Sequence, residues 1–173
     1  ITSYRKATEI HKRLVAHNPQ SIIYPQALAK SSCSLARTLR LQGKFGKAIV
    51  PLQEAIKFDP ECVQAINDLA WIRATSSETQ LRNIEQAIAL ALKAVKLAPK
   101  MSVAWHTLGV ARYRHGQWKE SLAALQKSLA LSASGQGTVR DWLFLAMAHW
   151  QIDQQVEARQ WYEKAVVWLD VNR

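Results

Sequence analysis

The strongest constraint on this chain of 173 residues is that it repeats itself. "SLARTLRLQGKFGKAIVPLQEAIKFDP" (34–60), "WHTLGVARYRHGQWKESLAALQKSLALSA" (105–133) and "WLFLAMAHWQIDQQVEARQWYEKAVVWLD" (142–170) share one order of events. An apolar helix leads into a short polar turn, and a second helix opens with charge and closes on small and apolar residues. A fourth stretch, "INDLAWIRATSSETQLRNIEQAIALALKAVKLAP" (66–99), fits once its turn takes an insertion of about five residues. A helix pair of this kind cannot bury its apolar face alone, so successive pairs must stack on one another.

Two antiparallel helices pack closely only where small residues let the backbones approach and large ones fill the space around them. Gly109, Ala36, Ala70 and Ala146 are the expected approach points. Leu35, Leu69, Leu108, Leu145, Trp105 and Trp142 supply the volume, each worth on the order of 1.5 to 3 kcal/mol when buried. Pro60 and Pro99 close second helices, and Gly43 and Gly116 occupy turns. Thr138 with Asp141 is a capping-box signature, and Asn83 with Gln86 is a weaker one. "ATEIHKRLVAHNP" (7–19) reads as a second helix without its first, and "SIIYPQ" (21–26) as a longer connection. The expected organisation is one run over 1–173: a truncated repeat (1–19), then repeats over 20–60, 61–99 with the turn insertion, 100–133 and 134–173.

The recurring positions resemble the tetratricopeptide repeat, and the resemblance covers nearly the whole chain. That family places Trp, Leu, Gly and Tyr on the first helix, a small residue in the turn, then Ala, an aromatic, Ala and a closing Pro on the second. The third full match here is Trp105, Leu108, Gly109, Arg112, Gly116, Ser121, Leu125, Ser128 and Ala133. The last is Trp142, Leu145, Ala146, His149, Asp153, Ala158, Tyr162, Ala165 and Asp170. The resemblance implies an all-α fold, a right-handed α-solenoid of antiparallel helix pairs with about nine helices. "IHKRLVAHNP", "LAWIRAT" and "WHTLGVARYRHGQW" are also similar to repeat tails of large bacterial chains, some headed by a serine/threonine kinase domain. A docking or regulatory arm is the role this second resemblance implies, since the chain itself holds neither an HRD nor a DFG triplet.

Composition narrows the chemistry. Hydrophobic residues make up 49% and charged ones 21%, and no apolar run reaches the roughly 18 residues a membrane helix needs. The start is a charged amphipathic pattern rather than a signal peptide, and we take the chain as a piece of a longer one. Cys33 and Cys62, 29 positions apart, form neither a disulfide framework nor a close-spaced ligand pair, so a reduced, cytoplasmic setting is expected. The five histidines show no metal-binding spacing. "SASGQGTVR" (132–140) lacks the strand and lysine of a phosphate loop and reads as a connector. No enzyme, metal or cofactor is expected.

What remains is a surface. The resemblance puts the first helix of each pair along a concave groove, with Lys30, Cys33, Arg37 and Arg40, then Asn67 and Trp71, then His106, Tyr113 and Arg114, then Arg140, Met147 and Trp150 facing it. Such residues suit an extended protein segment whose acidic groups meet arginine and whose apolar side chains meet the aromatics. The expected function is therefore a non-catalytic interaction scaffold for a peptide or neighbouring domain. A carboxylate clamp known in the family is not reproduced: Cys33, Arg37, Asp68, Val103 and Thr107 stand at its places. Nucleic-acid binding is the alternative, because residues 1–60 carry ten Lys and Arg against three acids within a net charge of +10. The apolar end "KAVVWLDVNR" suggests self-association through the last helix.

Overall fold

The computed structural model describes residues 2–133 and 135–172. Ser134, within the expected connector, and the two terminal residues lie outside the described residues. Among these, nine α-helices and one short 3-10 turn form, and no strand. The chain divides into two compact units, Ile1–Arg82 and Asn83–Arg173, and the boundary falls inside the turn insertion of the 61–99 repeat.

The N-terminal unit holds α1 (Thr2–His17), α2 (Ile23–Leu41), α3 (Phe45–Phe58), α4 (Val63–Thr75) and the 3-10 turn Thr79–Leu81. α2 packs on α1, α3 and α4. Ala36, Ala48, Leu52 and Ala55 are fully buried between α2 and α3, which is the small-against-large packing expected of a helix pair. Ser32 stands where the repeat resemblance places a tryptophan, and it too is fully buried. Its hydroxyl donates to Glu54 Oε2 at 2.8 Å, and Lys12 of α1 pairs with Glu54 Oε1 at 3.1 Å, so a polar link ties three helices together. Residues 23–26, read from sequence as connection, belong to α2 instead. Pro25 sits in the first turn, where its missing N–H has no intrahelical acceptor to lose.

The C-terminal unit holds α5 (Ile84–Leu97), α6 (Ser102–Arg114), α7 (Trp118–Leu131), α8 (Val139–Gln151) and α9 (Gln155–Val171). Each helix packs on the next, and α6 also meets α8. Trp105 and Trp142 share a local device: each indole N–H donates to the carbonyl six residues earlier, Pro99 at 2.9 Å and Gln136 at 2.6 Å. The serines that replace family alanines on α7 are used as donors, Ser121 to the Gly109 carbonyl at 2.8 Å and Ser128 to the Ser102 carbonyl at 3.1 Å.

Three helix ends use one turn. After α2, α6 and α8 the chain enters the left-handed region at Gly43 (φ +69°), Gly116 (φ +81°) and Asp153 (φ +60°). One residue on, the N–H of Lys44, Gln117 or Gln154 returns to the carbonyl of Leu39, Arg112 or His149. This closing bond satisfies a carbonyl that the end of the helix leaves open.

Candidate functional site

On α2 and α4 of the N-terminal unit the expected groove residues separate by role. Lys30 and Arg37 are exposed. Arg40 is partly withdrawn, its Nε 3.3 Å from Asp68 Oδ1, so it bridges α2 to α4. Burial pushes the Asp68 carboxyl up, against the pull of Arg40. Asn67 is buried, with its Oδ1 lacking a hydrogen-bond partner among the described residues, and Trp71 is half-buried. This face thus offers two open cations, Lys30 and Arg37, and a buried amide.

The C-terminal unit brings three of the expected residues together. Tyr113 from α6 and Met147 and Trp150 from α8 line an open cleft of about 790 Å³, completed by Val156, Arg159 and Tyr162 of α9. Tyr113 is fixed edge-on against Phe144, ring centroids 5.6 Å apart. Trp150 is 61% exposed and Tyr162 56%, so large aromatic faces stand open to solvent beside the cleft. The α9 residues carry no groove position in the repeat pattern, and sequence reasoning did not assign them to the site. Gln151, Gln155 and Gln160 add neutral donors and acceptors around the apolar centre.

His106 and Arg140 fall elsewhere. His106 is buried, and its Nδ1–H donates to Asp141 Oδ1 at 2.8 Å. Asp141 also accepts from the Thr138 N–H at 2.8 Å and the Thr138 hydroxyl at 2.7 Å, the capping box at the start of α8. Burial disfavours its charge, but the bond and charge of His106 and the Thr138 bonds outweigh it and hold the carboxyl down at about 2. His106 therefore orients α6 against α8 beneath the surface. Arg114 and Arg140 are exposed, and neither lines the cleft. His149, at the family's tyrosine place, is buried and donates to Gln154 Oε1 at 2.6 Å. At the same place in other repeats, Arg73 and Arg112 donate to the carbonyl eight residues on, Leu81 at 2.9 Å and Glu120 at 3.3 Å.

Stacked antiparallel helix pairs with an open first-helix surface define the class of helical-repeat proteins. The family model described as tetratricopeptide repeat matches residues 76–136 and 106–167, and the chain belongs to that family. No curated protein sequence gives a significant match. Among solved structures, the chain is similar to MamA from Desulfovibrio magneticus at 15% identity and a TM-score of 0.65, over 94% of this chain and 93% of that one. It is similar to yeast Tom70 at 17% identity and 0.68, over 95% of this chain and 32% of that one. A thermophilic repeat protein of Thermus thermophilus gives 20% and 0.59, over 94% and 81%. At these identities the likeness establishes the fold.

Proposed function

We propose that the chain is a non-catalytic protein-interaction scaffold whose C-terminal unit holds an extended segment of a partner protein in the cleft between α6, α8 and α9. The observation that carries this reading is the cleft itself, about 790 Å³ with Met147, Trp150 and Tyr162 open to solvent around it. A bulky apolar side chain entering it would bury aromatic surface that folding leaves wet, the situation in which interface anchors arise. The glutamine amides would bond the segment's backbone. Lys30 and Arg37 of the N-terminal unit suit acidic groups on a partner. Because the helices are already formed, little ordering opposes binding.

Nucleic acid is the less supported ligand. It would need Trp71, Tyr113 and Trp150 as stacking platforms, but Trp71 is half-buried and Tyr113 is already packed against Phe144. Selection of a displayed peptide library on the full chain tests the reading. Enriched peptides should share an aromatic or aliphatic anchor, and Trp150→Ala, at an exposed position, should weaken them roughly 10- to 100-fold without lowering stability. Peptides that bind Trp150→Ala equally well, or a ligand lost on nuclease treatment, would refute the cleft as the site.

A further inference from the structure

The two cysteines meet. Cys33 lies on α2 and Cys62 caps the start of α4, and their sulfurs are 3.9 Å apart, within hydrogen-bond reach of each other. Both are free and half-buried, so small oxidants reach them. We propose that Cys33 and Cys62 are a reversible redox pair, whose disulfide, formed by a hydroperoxide, staples α2 to α4 on the face that carries Lys30 and Arg37.

The environment divides the two roles. Cys62 is lowered to about 6, first by the hydrogen bond with Cys33, against burial, and then by the Ala65 N–H in the first turn of α4. The Cys33 thiol is pushed up, first by that same bond and then by burial. The pair thus shares one proton, with the thiolate at the positive end of a helix, where thiolates are stabilised. Cys62 is the attacking sulfur. Its thiolate takes the terminal oxygen of the hydroperoxide, giving Cys62 sulfenic acid and releasing the alcohol or water after protonation. Cys33 sulfur then attacks Cys62 sulfur, its proton leaves with the departing hydroxyl as water, and the Sγ–Sγ bond forms. Two electrons have passed from the pair to the peroxide, and a dithiol returns them with two protons through a mixed disulfide.

Closure requires the sulfurs to move from 3.9 Å to about 2.05 Å. The approach can come from Cys62, which ends a turn closed by its N–H to the Asp59 carbonyl at 3.1 Å, with Pro60 and Glu61 exposed. Cys33, by contrast, is held mid-helix beside the buried Ser32.

The test is thiol trapping on the full chain. Reduced protein is given one equivalent of hydrogen peroxide, then denatured, alkylated and mapped by mass spectrometry, with a parallel sample oxidised in guanidinium chloride. The proposal expects a monomer lighter by two hydrogens, a linked Cys33–Cys62 peptide and full reversal by dithiothreitol. It also expects formation at least ~10-fold faster folded than unfolded and a midpoint of thermal unfolding raised by about 5–10 °C. In Cys33→Ser, dimedone should label Cys62; in Cys62→Ser, labelling of Cys33 should be at least ~10-fold slower. Two alkylatable thiols after oxidation, disulfides only between chains, or equal rates folded and unfolded would each overturn it, and the wild-type arms decide this even if a variant fails to fold.

Discussion

Gly109 leaves no room for a side chain. A Cβ built there would lie 2.6 Å from Leu125 Cγ, 2.8 Å from its Cδ2 and 3.3 Å from its backbone nitrogen. Leu125 is itself fully buried, so it has nowhere to turn, and α6 and α7 would have to part. Alanine favours a helix over glycine by roughly 1 kcal/mol, whereas overpacking of a tight core costs about 1–3 kcal/mol. The clash should win: Gly109→Ala is expected to destabilise by ~1–2 kcal/mol, read as a lower midpoint in urea with unchanged slope. An unchanged midpoint would mean that the two helices separate without cost. This glycine was legible in the sequence because its role is tied to its place in a recurring pattern. His106 was not: its register is that of a surface position, but its partner Asp141 lies 35 residues away and draws it inward.

At the scale of an element, α8 shows how a local signal and a distant one combine. Thr138 and Asp141 form the expected cap, and the pairing with His106 adds a tertiary bond to the same carboxylate. The ordinary aspartate value near 3.9 falls to about 2 in the fold, so the unfolded chain binds the proton more readily. The stabilisation is therefore complete above about pH 4 and is lost as pH falls from about 4 to 2, a change on the order of 2 kcal/mol. Chemical denaturation across that range should show this slope in the wild type and a shallower one in Asp141→Asn, which should also be less stable at neutral pH. Identical slopes would remove Asp141 as the cause. The start of α2 carries the opposite lesson, since "SIIYPQ" (21–26) reads as connection in sequence, yet α2 begins at Ile23 and Pro25 is harmless in its first turn.

Across the whole molecule, charge and apolar surface oppose each other. The net charge of +10 repels a second copy, while Val167, Trp168, Leu169 and Val171 at the end of α9 are exposed and favour one. Salt screens the first and leaves the second, with a screening length of about 10 Å at 0.1 M and 3 Å at 1 M. If α9 mediates self-association, sedimentation should show mass rising with salt and protein concentration, and Val167→Lys with Trp168→Lys should stay monomeric; a salt-independent monomer would discount this surface. The helix pairs, their small-residue contacts, their turns and the cap of α8 could be read from the chain, because each depends on spacings of a few residues that recur in register. The enclosure of the cleft by α9, the inward turn of His106 and the meeting of Cys33 with Cys62 could not. They depend on which helix faces come together across tens of residues, and packing settles that only once the chain has folded.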